Sequence, residues 1–534
     1  MNPILSIVIP FLNEGEEVEN TLISIFNHSD MKDIEVIIIN DASDDGYNYT
    51  ELSGRYDIRY IENHFRIGVA ASRDKGAQLA YGNYILFLDA HMRFYDNDWS
   101  RRIIDLLSSD EMLLLCSQSK GLCNINNEIH EIKGRQTAWG TSINFINNFR
   151  YLECNWIYKD FNPFENTVEI PCVFGACYAV SKNTWKYIKG LSGLSQYGND
   201  ETYMSMKIWL CGGKVKLIKD LFVGHIYREY QPYEVDIASR IFNRIWIASL
   251  LLDSDYRSRA FAYSKSLKNY NNSLSILFEK KVLFVELYKH YKSILKIPYT
   301  DFINYNNARS DIRNRYEGTM SIINRTKDFI LKYYHCLSSL TLENGRLGAI
   351  LFLAIYSMRN NDEKITRLVN QYIDEIILKN LEYLNLQTLL DLGWVLCFLI
   401  IQRSIKKHKY LSIIDKIVDI IKANDAIKKD FVIFGNTIKL MLALSHISEI
   451  SIAKHGKLTH VLYNLCKNYC SQNIYSKEIF EFVLYVEDRI SYIPSIYDMV
   501  TINLPEDNYN PESYNLGLSG CAGVGIKLII DNYE

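Results

Sequence analysis

The first 230 residues alternate two hydrophobic patterns. Leu5-Ser-Ile-Val-Ile-Pro10, Glu35-Val-Ile-Ile-Ile-Asn40, Ile58 to Glu62 and Tyr84-Ile-Leu-Phe-Leu-Asp89 are short, nearly continuous apolar runs and read as strands. Between them, Asn13 to Asn27 places Val18, Leu22, Ile25 and Phe26 on one helical face, and Val69 to Tyr81 is an Ala-rich helical stretch. Continuous apolar strands separated by helices predict an α/β domain with a parallel sheet buried on both faces and right-handed crossovers. Ligands of such sheets sit beyond the carboxyl ends of the strands. Those ends carry Asn13-Glu14, Asn40-Asp41 and Asp89-Ala90-His91, which predicts one polar crevice.

From Ile237 to Glu534 the pattern is helical, with polar breaks at Asn269 to Ser273 and Asn304 to Asp311. Arg346-Leu-Gly348, Asp391-Leu-Gly393, Ile433-Phe-Gly435 and Gly523-Val-Gly525 each open an apolar stretch, at glycine spacings of 45, 42 and 90. A period in the forties predicts stacked helix pairs; chance glycines in Leu-rich helices are the alternative. The expected organisation is an α/β domain over 1–235, a helical connector over 236–310 and an all-α repeat domain over 311–534.

Composition narrows the class. The 534 residues are 48% hydrophobic and 23% charged, a globular balance. Lys+Arg 59 against Asp+Glu 62 gives a net charge of −3, so no basic excess points to nucleic acid or anionic lipid. Eleven Cys without paired spacing predict reduced thiols and a cytoplasmic location. No apolar run approaches the ~20 residues of a transmembrane helix, and Ile4 to Ile9 has no basic leader and reads as a strand.

Asp89 and His91, two positions apart as the chain leaves a strand, point the same way and can share one divalent cation. The carboxylate suits a hard ion, and imidazole accepts Mn²⁺ better than Mg²⁺. Two ligands leave positions open for a diphosphate, whose charge the cation cancels. A plain polar turn is the alternative. Asn40-Asp41-Ala-Ser43-Asp44-Asp45-Gly46 would repel phosphate, but a carboxylate there can accept the N–H of a base; a capped turn uses the same residues. Arg73 can bridge to a carboxylate or a phosphate, or form a surface ion pair.

Ile7-Val-Ile-Pro10-Phe-Leu-Asn13-Glu14, the Asn40 to Gly46 turn and Gly82-Asn-Tyr-Ile-Leu-Phe-Leu-Asp89-Ala-His91 together resemble a family 2 glycosyltransferase of GT-A fold. The Asp-x-His motif is similar to that of the polypeptide N-acetylgalactosaminyltransferases. Asn144 to Arg150 resembles their aromatic-rich acceptor segment, and Val173-Phe-Gly175-Ala-Cys-Tyr-Ala-Val180 their small-residue strand under the sugar. Tyr197-Gly-Asn-Asp200-Glu201 through Lys207, Trp209 and Gly213, and then Val223-Gly-His225-Ile-Tyr227-Arg228, complete the resemblance, which runs from residue 4 to about 265. It implies that Asp89, His91 and His225 hold Mn²⁺, with Mg²⁺ as the other candidate. It also implies that Arg228 meets the diphosphate of a UDP-sugar. Pro10, Glu14, Asp41, Arg73 and Ala90 fall in the nucleotide pocket, Gly175 lies under the sugar and Trp209 over the diphosphate–sugar region. Glu229 to Asp236 match a loop that closes over the donor and excludes water. His225 also has a reading of its own as a third ligand from a distant strand, against that of a core histidine.

Asp200-Glu201 departs from the Glu-Asn of the retaining enzymes and is similar to the Glu-Asp of inverting relatives. There the second acid is the general base, which makes Glu201 a base and the reaction inverting. The other reading makes Asp200 a sugar ligand in a retaining enzyme. Tyr514 to Leu528 resembles the closing repeat of lanthionine synthetase C-like α/α toroids, but the Trp-Cys and Cys-His-Gly motifs of their zinc site are missing, which implies a non-catalytic module. The expected function is transfer of a sugar from a UDP-sugar to a hydroxyl or thiol of a peptide or protein. The alternatives are a lipid-linked or cell-surface glycan acceptor and a non-catalytic sugar-nucleotide-binding scaffold.

Overall fold

The computed structural model describes residues 3–125, 128–132, 134, 136–145, 150–228, 231–265, 267–310, 319–378, 381–488 and the single residues 490, 495, 522 and 526. Three stretches singled out in the sequence fall partly outside them: 146–149 of the aromatic-rich segment, 229–230 of the closing loop, and nearly all of 514–528. The chain forms two compact units, Met1–Leu252 with Leu267–Arg313, and Asp253–Ser266 with Asn314–Glu534.

The first unit is built on a mixed sheet. Its strands are β1 (Leu5–Phe11), β2 (Ile34–Asn40), β3 (Arg59–Glu62), β4 (Tyr84–Leu88), β5 (Met92–Phe94), β6 (Leu113–Ile125), β7 (Glu128–Glu131), β8 (Thr141–Ile143), β9 (Cys154–Trp156), β10 (Thr167–Glu169), β11 (Cys177–Ser181) and β12 (Lys214–Ile226). The main order is β10-β12-β6-β11-β4-β1-β2-β3, with β5 on β12 and β7 on β6, while β8 and β9 pair separately. The four strands expected from the sequence are present, and β4-β1-β2-β3 is the parallel block. β11 then runs antiparallel between β4 and β6, so the second half of the sheet is mixed. Parallel strands need helical crossovers; α1 (Glu17–Asn27) and α3 (Val69–Leu79) come where the periodicity places them, and the short α2 (Leu52–Arg55) is an addition the pattern did not predict. They are followed by α4 (Trp99–Ser109), α5 (Lys182–Tyr187), α6 (Asp200–Leu210) and α7 (Ile237–Leu251).

All seven β1 residues are buried, as a parallel strand covered on both faces requires. Ile7, Ile9, Val36, Ile38, Leu86 and Leu88 pack with Val18, Leu22 and Ile25 of α1 in one core. Each such side chain contributes about 1.5–3 kcal/mol on burial. This core fixes register, with Phe11 opposite Asn40 and Val8 opposite Phe87, and so brings the polar ends of β1, β2 and β4 to one edge.

The second unit is helical and alternates two kinds of helix. Arg346–Asn360, Leu386–Ile401 and Phe431–Ile447 are buried over most of their surface. Glu363–Leu378, Lys407–Lys422 and Gly456–Ser471 bury one stripe each, such as Ile365, Val369, Tyr372 and Ile376 in the first. All-round and one-sided apolar helices in alternation make inner and outer layers. Gly348, Gly393 and Gly435 each lie in an inner helix. At Gly393 a Cβ would stand 3.1 Å from Leu440 and 3.3 Å from Ile417, so the helices cross closely there.

Candidate active site

The polar strand ends open on a cavity of about 450 Å³ in the first unit. Pro10, Glu14, Asp41, Arg73, Asp89, Ala90, His91, Gly175, Asp200, Glu201, His225 and Arg228 all line it. They come from β1, β2, α3, β4, α6 and β12, or from the turns beside these elements, so the sheet register assembles a site from residues more than 200 positions apart.

Asp89 and His91 leave β4 as expected. His225 arrives because β12 pairs antiparallel with β5, setting it opposite Met92, one residue beyond His91. The two imidazoles face each other with Nε2 atoms 3.2 Å apart, and His225 Nε2 lies 3.7 Å from Asp89 Oδ2. Among the described residues, these three form the one cluster of His, Cys, Asp or Glu able to share an ion. The donor set fits a divalent cation. Two nitrogens at ~2.1 Å from one ion and 3.2 Å from each other subtend about 100°, near a cis octahedral or tetrahedral angle. His91 Nδ1 faces Glu14 Oε2 at 3.2 Å, which leaves Nε2 as the free lone pair. Burial raises the Asp89 carboxyl pKa, but the adjacent His225 and the charges of Arg73 and His91 outweigh it and hold the group below the usual carboxylate range. Glu14 is likewise held low: burial pushes it up, while His91 and Arg228 pull it further down.

Arg73 is buried on α3 and bridges two acids. Nη2 donates to Asp89 Oδ1 at 2.9 Å, and Nη1 pairs with Asp200 Oδ2. Its guanidinium therefore ties the cation side of the cavity to the start of α6. Asp200 is ion-paired by that contact. The Glu201 side chain is half-buried against Gly175 at the first turn of α6. Desolvation raises its pKa more than the charge of Arg73 lowers it, and the charge of Asp89 raises it further. A partly buried acid with a raised pKa facing a cavity suits a general base.

Asp41 does not stand free at the end of β2. Its carboxylate accepts N–H groups from Asn63 Nδ2 at 2.8 Å, Ile67 at 2.9 Å and Gly68 at 2.8 Å. It thereby shapes the floor where the chain turns into α3. Gly68 has φ +91°, and a side chain there would meet the Gln196 carbonyl at 2.7–2.9 Å, so this crossing requires glycine. Residues from 231 onward also reach the cavity. Gln231 and Tyr233 line the cavity, Asn13 Nδ2 donates to the Pro232 carbonyl at 3.4 Å, and Arg66 Nη1 donates to the Glu234 carbonyl at 3.0 Å.

One expectation is corrected. Trp209 does not line the cavity. It lies eight residues beyond Glu201 on α6, about 12 Å along the axis. There its indole packs at a tilt against Tyr305, with ring centroids 4.4 Å apart, and Nε1 donates to the Ile170 carbonyl at 3.2 Å. Lys207 also turns away: its ammonium donates to the carbonyl of Ile188 at 3.1 Å. Burial brings its pKa down to about 7. Sequence reasoning missed Ser119, Trp156, Phe174 and Tyr227, which form the wall shared with a smaller adjoining cavity of about 130 Å³. The Ser119 Oγ is buried at this junction without a hydrogen-bond partner among the described residues.

Residues 6–160 match the family described as Glycosyl transferase family 2. Human polypeptide N-acetylgalactosaminyltransferase 14 is 24% identical over 299 residues, covering 54% of this chain and 53% of that protein. Human polypeptide N-acetylgalactosaminyltransferase 10 is 28% identical over 252 residues, covering 44% of this chain and 39% of that protein. The chain thus spans about half or less of the length of these relatives. A crystal structure of GalNAc-T7 with UDP, GalNAc and Mn²⁺ is 20% identical, covers 59% of this chain and 58% of that one, and superposes with a TM-score of 0.47. The first part of the chain carries a family 2 glycosyltransferase domain related to the polypeptide N-acetylgalactosaminyltransferases.

Proposed function

We propose that the protein is a divalent-cation-dependent transferase that moves a sugar from a UDP-sugar to a hydroxyl of a peptide. The observation that carries this reading is the convergence of Asp89, His91 and His225 on a cavity that also holds Arg228 and a half-buried acid, Glu201. Asp89, His91 and His225 hold Mn²⁺, which when bound neutralises the diphosphate of the donor as a leaving group. Arg228 adds a guanidinium on the same side of the cavity. Asp41 and Gly68 shape the nucleoside end. Arg73 fixes Asp200 against the cation side and leaves Glu201 to take the acceptor proton. Glu201 acting as the base implies inversion at the anomeric carbon. The segment from Gln231 to Asp236 limits the access of water, the competing acceptor.

The adjoining cavity of about 130 Å³ sets Trp156, Tyr158, Phe174 and Phe222 beside Gln118, Lys120, Glu131 and Gln136, a mixed aromatic and polar wall next to the reacting centre that suits an acceptor segment. The peptide reading rests on the similarity to the polypeptide N-acetylgalactosaminyltransferases. The helical unit, whose Tyr514 to Leu528 segment resembles the closing repeat of lanthionine synthetase C-like toroids, is assigned a non-catalytic peptide-handling role; among the described residues its buried Cys397 belongs to no cluster of three metal-ligating side chains. Mass spectrometry of candidate peptides incubated with UDP-sugars and Mn²⁺ tests the assignment. A hexose or N-acetylhexosamine increment that disappears in His91→Ala supports it; UDP-sugar turnover only onto lipid-linked or polymeric glycans removes the peptide reading. Anomeric NMR of the product decides between inversion and retention.

A further inference from the structure

We propose that Glu14 is a positioning residue with two opposed duties: it orients His91 toward the cation and, in the donor-free site, it restrains Arg228 from the diphosphate. The proposal rests on the reading of Asp89, His91 and His225 as cation ligands. The Glu14 side chain is only 6% exposed, and a single oxygen, Oε2, serves both partners. It accepts from His91 Nδ1 at 3.2 Å and from Arg228 Nη2, which lies 214 positions away in the chain. A proton held on Nδ1 leaves the His91 Nε2 lone pair facing His225 and Asp89.

The two imidazoles are held unequally. The Nδ1 of His225 is buried and has no hydrogen-bond partner among the described residues. Its ring is kept in place by packing, edge-on to Tyr227 with centroids 4.6 Å apart. His91 is thus the ligand with an outer carboxylate, the arrangement that fixes a tautomer and raises ligand basicity. The same carboxylate competes for Arg228. A guanidinium paired with Glu14 can engage a diphosphate fully only by giving up that bond or sharing it. Glu14 should therefore strengthen cation binding and weaken cation-free nucleotide binding, two effects of opposite sign from one side chain.

The test is Glu14→Gln, which keeps shape and an acceptor oxygen but removes the charge. Mn²⁺ binding without nucleotide is measured by electron paramagnetic resonance titration, and UDP binding by calorimetry in the presence of a chelator. The expected result is a 10–100-fold loss of Mn²⁺ affinity, together with a several-fold gain in cation-free UDP affinity. Arg228→Gln, which leaves Glu14 to His91 alone, should not lower nucleotide-free Mn²⁺ affinity. If Glu14→Gln does not fold, Glu14→Asp, which withdraws the carboxylate by one methylene, is expected to show the same two signs with smaller amplitude. Loss of both affinities together, or no change in either, would overturn the proposal. His91→Ala and His225→Ala separate it from the underlying reading: if they leave Mn²⁺ affinity intact the ligand assignment fails, whereas if they abolish it while Glu14→Gln does not, only the role of Glu14 fails.

Discussion

Gly175→Ala separates folding from chemistry in this site. Gly175 is outside the left-handed region, so its backbone accepts alanine without strain. The added methyl would lie 2.8 Å from Glu201 Cδ and 3.0 Å from Cγ, and nearer still to Oε1. Ordinary contact begins at 3.4 Å, so the carboxyl carbon must retreat by at least 0.6 Å (3.4 − 2.8) and the oxygens by more. The obstacle is the end of a rotatable side chain, so the cost in stability should stay within about 1 kcal/mol. A general base displaced by about 1 Å loses on the order of 10²-fold in rate, or about 2.7 kcal/mol of barrier. The variant should therefore melt near the wild type and bind UDP and Mn²⁺ normally, while kcat for peptide glycosylation falls about a hundredfold. On a Glu201→Gln background the same change should cost nothing further, because the displaced group is already inactive. Melting curves, calorimetry and a UDP-release assay measure the three quantities. Turnover within a factor of three of the wild type would refute the placement of Glu201 as the base.

Glu201→Gln should abolish transfer yet preserve UDP binding. It should also stabilise the fold at pH 7. The folded pKa lies above the unfolded one, so the ionised acid carries a penalty above the folded pKa that vanishes below the unfolded one. The gain in melting temperature should accordingly be present at neutral pH and absent near pH 4. The same raised pKa should give kcat an acid limb that rises with pH and lies above the ordinary carboxylate range, and a limb within that range, or none, would count against it. Arg73→Leu leaves Asp200 and Asp89 without their shared guanidinium and should cost roughly 3–5 kcal/mol in denaturant unfolding. Trp209→Phe should lose about 1 kcal/mol with its bond to Ile170 and leave donor affinity unchanged; weakened UDP-sugar binding would return Trp209 to the site.

The parts of this molecule legible in the sequence are those governed by local pattern. Short, β-branched apolar runs such as Glu35 to Asn40 favour buried strands, and the sheet rule then places their polar ends together, which is why Asp41, Asp89 and His91 converge as expected. His225 was reachable through its resemblance motif, but the physical cause of its position is the pairing of β5 with β12, which no local pattern encodes. Trp209 shows the opposite failure. It sits in a long matching stretch, yet the rise of a helix carries it away from the acids that begin the same helix. The shared grip of Glu14 on His91 and Arg228, the contact of Gly175 with Glu201 and the Ser119–Trp156–Phe174 wall depend on tertiary neighbours far apart in the chain. In the helical half, Gly348, Gly393 and Gly435 each fall in an inner helix, but only at Gly393 does a close helix crossing account for the glycine; a Cβ at Gly435 would meet nothing within 4 Å.

The central claim is that two imidazoles from separate strands bind one cation beside Asp89. Pulsed electron paramagnetic resonance of Mn²⁺ on the full-length protein with UDP measures this directly through nitrogen hyperfine coupling. The account predicts coupling to two histidine nitrogens, reduced to one in His225→Ala and to none in the double variant with His91→Ala. Bound Mn²⁺ with no histidine coupling, or coupling unchanged in His225→Ala, would contradict it.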